Sequence, residues 1–142
     1  QSRKEEQSGQ ILRNFKGKRI LLAEDNELNA EIAMELLGES GLETEHVTDG
    51  IKCVETLKAK PEDYYDLILM DIQMPHMDGY EATKIIRALN DPRSRIPIIA
   101  MTANAFEEDR QRAFEAGMDA HIAKPIDVKI LFSTLAQVLG EE

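Results

Sequence analysis

Cysteine is nearly absent: Cys53 is the sole one in 142 residues, which excludes a disulfide framework and any cysteine-rich zinc site. Basic clusters are missing too. No run of positive charge is longer than the pairs Arg3-Lys4 and Lys18-Arg19, and 17 basic against 27 acidic side chains leave a formal net charge of −10. Neutralising phosphates takes clustered lysine and arginine, so no nucleic-acid partner is expected. Long apolar runs are lacking as well. Leu67-Ile68-Leu69-Met70 and Ile98-Ile99-Ala100-Met101 are strand-sized, whereas a bilayer span takes about 20 residues, so no direct membrane contact is expected. The chain opens without a signal peptide, and it begins on Gln1 rather than Met, which reads as a fragment or a processed product. What it does have is apolar material for one domain. Residues are 42% hydrophobic, at a size where folding buries about 70% of the surface that the unfolded chain exposes.

Residues 1–10 (QSRKEEQSGQ) are polar and without apolar period; we assign 1–17 to a linker or disordered lead-in and 18–142 to the folded domain. From Lys18 onward short aliphatic runs alternate with segments of helical spacing, as in a parallel sheet covered on both faces. The first strand is Arg19–Ala23. A helix over Glu27–Glu39 follows, with Leu28, Ile32, Leu36 and Leu37 on one face and Gly41 just past its end. A weaker strand, Glu43–Val47, leads to a helix capped by Asp49 that carries Ile51, Val54 and Leu57 and stops at Pro61. The third strand, 67–70, is apolar throughout and therefore central. A loop with Pro75 and Gly79 then enters a helix with Ala82, Ile85, Ile86 and Leu89 inward. The fourth strand is 96–101, with Pro97 at its start where a missing N–H is tolerable, and its helix runs over 104–116 to Gly117. The fifth strand, Ala120–Ala123, precedes a helix with Val128, Leu131, Phe132, Leu135 and Val138 at helical spacing. Five such units make an α/β protein, a (βα)5 doubly wound, five-stranded parallel sheet. Its ligands belong at the carboxyl ends of the strands, near the switch in strand order.

Those ends are polar. The first strand runs into Glu24-Asp25, the third into Asp71, the fourth into Thr102 and the fifth into Lys124. Three carboxylates converging on a partly dry crevice repel one another unless a cation sits among them. Oxygen-only ligands select a hard ion, Mg²⁺ by default. The remaining Asp71 oxygen can then attack phosphorus, while the ion, Lys124 and Thr102 share the charge on the transferred phosphoryl oxygens. Singly, an aspartate after a strand is most often a helix cap. Four of five strand ends in chain order are not explained by capping.

With these residues the chain resembles the receiver domain of two-component response regulators, over about residues 18–139. The signatures are Ile20-Leu21-Leu22-Ala23-Glu24-Asp25-Asn26, Leu69-Met70-Asp71-Ile72-Gln73-Met74-Pro75, Ile98-Ile99-Ala100-Met101-Thr102-Ala103 and Ala123-Lys124-Pro125. The resemblance implies a flavodoxin-like fold with strand order 2-1-3-4-5. It implies that Asp71 is the phosphoacceptor, fed by a phosphohistidine on a histidine kinase or histidine phosphotransfer protein. It further implies that Asp25 is a direct Mg²⁺ ligand, that Glu24 holds metal-bound water, and that the Gln73 backbone carbonyl completes the protein ligands. Thr102 would contact the phosphoryl group and move, Lys124 would pair with it, and a cis Lys124-Pro125 bond would aim the lysine. Gln73 and Asn104 flank the path of attacking water and would tune the acyl phosphate's lifetime. Small Ala103 would keep the acceptor open to a donor.

His121 stands where many receivers carry Tyr or Phe, three residues before the lysine, which leaves it either a switch that rotates inward or a strand-end surface residue. The lead-in Lys16-Gly17-Lys18 and the helix start Asn26-Glu27-Leu28-Asn29 look similar to receivers fused behind histidine-kinase cores in hybrid sensors. A cytoplasmic module follows from that likeness, or the cytoplasmic part of a membrane-bound sensor. Its readout would lie on the fourth helix, fifth strand and fifth helix, a face on which such domains also form homodimers. Alternatives are a degenerate receiver acting as a scaffold, a Mg²⁺-dependent phosphohydrolase with an aspartyl-phosphate intermediate, and a flavin carrier. The hydrolase wants an acid two residues after its nucleophile, where Gln73 stands, and Glu24-Asp25-Asn26-Glu27 would repel a flavin phosphate. His46 and His76 have no ligand-spaced partners and read as solvated; Cys53 reads as a small core residue. Glu107-Glu108-Asp109 reads as a helix first turn favoured by the dipole.

Overall fold

Five strands and five α-helices alternate along the residues that the computed structural model describes, which are 15, 17–103 and 106–139. They are β1 Arg19–Ala23, α1 Glu27–Glu39, β2 Glu43–Val47, α2 Gly50–Ala59, β3 Leu67–Asp71, α3 Gly79–Arg87, β4 Ile98–Thr102, α4 Glu107–Ala116, β5 Ala120–Ala123 and α5 Val128–Leu139, with a 3-10 turn at Pro92–Arg95 before β4. All pairings are parallel and the order is β2-β1-β3-β4-β5. The chain steps from β1 outward to β2, then crosses to the other side of β1 for β3. The order therefore reverses at β1 and β3, whose carboxyl ends open a crevice.

Strand side chains alternate between two cores. On one face Leu21, Ile68, Met70, Ile98 and Ala100 lie under Cys53, Val54 and Leu57 of α2, Ala82 and Ile86 of α3, and Ala113 and Ala116 of α4. On the other, Ile20, Leu22, Leu69, Ile99 and Met101 lie under Ala30, Ala33 and Leu37 of α1 and Leu131, Phe132 and Leu135 of α5. Every residue of β3 and β4 is buried, as strands covered on both faces require. Asn26, Asp49 and Asp78 cap α1, α2 and α3, Asp78 in a reciprocal capping box with Glu81; each such cap is worth about 1 kcal/mol. Among the described residues no helix is long and apolar enough to cross a membrane.

The helix faces differ from the sequence reading. In α1 the inward stripe is Ala30, Ala33 and Leu37, while Leu28 and Ile32 are 65% and 47% exposed. Ile51, Ile85 and Val128, also expected inward, are exposed on α2, α3 and α5. Small residues set the close approach of helix to sheet, and an apolar-size pattern gives them little weight. β4 begins at Ile98 rather than residue 96 because the Ile96 N–H closes the 3-10 turn on the Arg93 carbonyl and Pro97 has no N–H to give. α4 begins at Glu107, three residues later than expected, behind Phe106, which supplies no side-chain cap. The acidic first turn of that helix is as read. Residues 1–14 of the expected linker and Lys16 lie outside the described residues. Phe15, assigned to that linker, is instead fully buried, its ring stacked on Phe132 at 5.9 Å between centroids.

Candidate functional site

Five side chains meet at the carboxyl end of the sheet. Asp71 is the last residue of β3 and Thr102 the last of β4, so the strand ladder itself fixes both; both are buried. Glu24 and Asp25 follow β1 in the turn to α1, Glu24 buried and Asp25 exposed, and Lys124 follows β5. Ligand atoms of Glu24, Asp25 and Asp71 lie within 4.8 Å of one another. The Lys124 ammonium donates to Glu24 Oε1 at 2.9 Å and to Asp71 Oδ2 at 3.1 Å. The Asn26 N–H donates to Glu24 Oε2 at 3.1 Å, so both oxygens of that buried carboxylate are engaged. The Lys124-Pro125 peptide is cis.

A cavity of about 240 Å³ is lined by these residues together with Asn26, Asn29, Gln73 and Ala103. A neighbouring cleft of about 540 Å³ continues from Asp25 and Gln73 past Pro75 to Tyr80 and Arg112. The loop between β3 and α3 forms its wall and is held closely. The Gly79 N–H donates to the Ile72 carbonyl at 2.8 Å and the Gly50 N–H to the Met77 carbonyl at 3.0 Å. A Cβ on Gly79 would stand 2.5 Å from the Asp71 carbonyl oxygen, and one on Gly50 2.5 Å from that of Met77, so only glycine fits at either place. His76 turns the loop with a φ of 68°.

Electrostatics match the crowding. Burial, and next the Glu24 charge, push the Asp71 carboxyl from 3.8 up to about 7 against the opposing pull of Lys124. Burial works against the Lys124 ammonium, but its hydrogen bond to Glu24 and the charge of Asp71 outweigh that and its pKa rises. One ammonium facing three carboxylates leaves an excess of negative charge on hard oxygen donors. Such a set fits a small divalent cation, and Glu24, Asp25 and Asp71 could hold one.

The remaining sequence candidates are not all in the crevice. His121 lies on β5 opposite Ala100, on the α4 side of the sheet. It is half-buried, and its Nε2 is buried without a hydrogen-bond partner among the described residues. Burial first, then Arg110, lowers its pKa, with Asp109 opposing. Asn104 lies outside the described residues. His76 is exposed, as read, and Cys53 is a fully buried core residue. His46 corrects the reading of a solvated histidine: it is half-buried on β2, with Nε2 2.7 Å from the Glu24 carbonyl oxygen. No spacing could reveal that contact, because it joins a β2 residue to one 22 positions earlier, in the turn after β1.

The model of the response regulator receiver domain matches residues 20–136. Histidine kinase 1 of Arabidopsis thaliana is 37% identical over 89% of this chain and 13% of its own length. The polar-differentiation response regulator DivK of Brucella abortus is 38% identical over 87% of this chain and 98% of its own length. The receiver domain of the Pseudomonas aeruginosa sensor histidine kinase PA1611, solved with a magnesium ion coordinated in the active-site cleft, is 41% identical. It superposes with a TM-score of 0.78, covering 88% of this chain and 99% of that one. The chain spans 13% of the length of Histidine kinase 1 and between 3% and 8% of three further histidine-kinase relatives.

Proposed function

The chain belongs to the response regulator receiver domain family of two-component signalling, and on that premise we propose that Asp71 is its phosphoacceptor, with residues 18–142 as the working module. The donor is a phosphohistidine of a histidine kinase or a histidine phosphotransfer protein. An Asp71 carboxylate oxygen attacks phosphorus, the P–N bond breaks, and the electron pair leaves with the imidazole. Glu24, Asp25 and Asp71, with the Gln73 carbonyl, are the residues that would hold Mg²⁺. The ion supplies Lewis-acid neutralisation of phosphoryl charge. Lys124, which bridges Glu24 and Asp71, would pair with the incoming group as a point charge. Thr102, at the end of the neighbouring strand, offers its hydroxyl to the same oxygens. Ala103 and Gln73 line the cavity; small Ala103 leaves the acceptor open to a donor, Gln73 and Asn104 tune the lifetime of the acyl phosphate, and Pro125 aims Lys124.

The single observation that carries this reading is one lysine shared by two buried carboxylates, with a third close by, at the switch in strand order. Phosphorylation would draw Thr102 inward and bias the α4, β5 and α5 face, where His121 responds from beneath α4. Phe106 and Phe114, each 65% exposed, lie on that face for a partner or a second copy. The resemblance to hybrid kinases supports a parent in which the domain relays its phosphoryl group onward or restrains the kinase. The test is intact mass after acetyl phosphate with Mg²⁺. A labile single-phosphate adduct is expected, lost in Asp71→Asn and without metal. No adduct from either acetyl phosphate or a phosphohistidine donor would overturn the acceptor assignment and leave the scaffold.

A further inference from the structure

The backbone of Glu24 is held at both its N–H and its carbonyl by consecutive residues of the edge strand. Its N–H donates to the Val47 carbonyl at 3.0 Å, and its carbonyl oxygen lies 2.7 Å from His46 Nε2. A carbonyl oxygen only accepts, so Nε2 carries the hydrogen and donates it. The register between β1 and β2 ends at Ala23 opposite Val47. His46 thus extends the ladder by one rung, made from a side chain, at the point where the backbone must leave the sheet to reach α1.

The turn that leaves from this peptide carries two of the three clustered carboxylates. Glu24 is held by Lys124 and by the Asn26 N–H, and Asn26 in turn caps α1 by accepting from the Asn29 N–H at 2.9 Å. Asp25 sits between these anchors, exposed. Its direction follows from the orientation of the Glu24 carbonyl, because rotating that peptide swings the next Cα and side chain with it. Mutual repulsion of the carboxylates pushes toward such a rotation. The imidazole opposes it from outside the crevice, without occupying a ligand position.

We propose that His46 is a positioning residue: its hydrogen bond to the Glu24 carbonyl holds the 24–26 turn in the geometry that gathers the carboxylates around a divalent cation. This rests on the reading of the cluster as the Mg²⁺ site. The pair of variants that tests it is His46→Gln, whose amide N–H reaches about as far as imidazole Nε2, and His46→Val, which suits an edge strand but donates nothing. Mg²⁺ affinity is measured by calorimetry at one mildly alkaline pH, beside the melting temperature and the amide resonances of Glu24, Asp25 and Asn26. His46→Val is expected to weaken Mg²⁺ binding about tenfold, the lower end for groups that orient metal ligands. It should also shift the three amide resonances, and His46→Gln should recover most of both. Unchanged Mg²⁺ affinity in His46→Val, or equal losses in both variants that follow the melting temperature, would overturn the proposal. Asp25→Asn separates the two readings. If it binds Mg²⁺ like the parent chain, the metal assignment fails; if it loses binding while His46→Val does not, only the role of His46 fails.

Discussion

At the scale of one residue, Asp71 is where the site stores its conflict. Burial and the neighbouring Glu24 raise its pKa from 3.8 to about 7, and Lys124 only partly relieves it. Between those values the folded protein keeps a proton that the unfolded chain has released. The contribution of this group to stability is therefore fully present below about pH 4 and is lost as pH rises through about 7. In chelator, the urea midpoint should fall between about pH 6 and about pH 8, and Asp71→Asn, which has no proton to lose, should remove that slope. Saturating Mg²⁺ should restore the midpoint at the higher pH, because a cation that binds only the folded form stabilises it by mass action. A midpoint that rises over the same interval without metal would mean that Lys124 dominates, and that the site is already neutralised without an ion.

The loop between β3 and α3 shows at the scale of elements how the scaffold bears on the acceptor. Gly79 opens α3 and packs so closely beneath β3 that a Cβ would stand 2.5 Å from the Asp71 carbonyl oxygen and 3.1 Å from the Ile72 Cα. These contacts are backbone, which cannot swing aside as a side-chain tip can. Gly79→Ala should cost about 1–3 kcal/mol in urea unfolding, as overpacking does, and should slow adduct formation from acetyl phosphate by moving the acceptor. Gly38, inside α1 with nothing within 4 Å of its would-be Cβ, is the contrast: Gly38→Ala should gain about 0.5–1 kcal/mol and leave the reaction rate alone. Equal effects of the two substitutions would refute this account of the loop. Strand ends were legible in the sequence because an apolar run gives way abruptly to Glu24-Asp25, to Asp71, to Thr102 or to Lys124. Helix faces were legible only in part. Ala30 and Ala33 bring α1 onto the sheet, while the larger Leu28 and Ile32 that dominate its pattern face outward. The contact of His46 with the Glu24 carbonyl has no local signature, since strand pairing alone creates it.

For the whole molecule, alternation of strand and helix conveyed the doubly wound sheet, and the polar strand ends conveyed where its crevice would lie, but composition misplaced the boundary of the fold. The polar first ten residues set the lead-in apart from the fold, and a single aromatic after them carries no periodicity. Phe15 is nevertheless fully buried and belongs to the same core as Leu22, Ile99 and Leu131, with its ring stacked on Phe132 of α5. The connection runs on through the Lys18 N–H, which donates to the Phe15 carbonyl at 3.1 Å, and the Glu43 N–H, which donates to the Lys18 carbonyl at 2.9 Å. Phe15 therefore closes the core between β1 and α5 rather than trailing from it. Truncating a buried Phe removes its transfer free energy and leaves a void, so Phe15→Ala should lower unfolding free energy by about 3–5 kcal/mol. That is a large share of the roughly 5–15 kcal/mol typical of a domain. The expected readout is a lower urea midpoint with an unchanged slope, because the surface exposed on unfolding is nearly the same. A loss below about 1 kcal/mol, the range of surface substitutions, would return Phe15 to the linker and start the fold at Lys18.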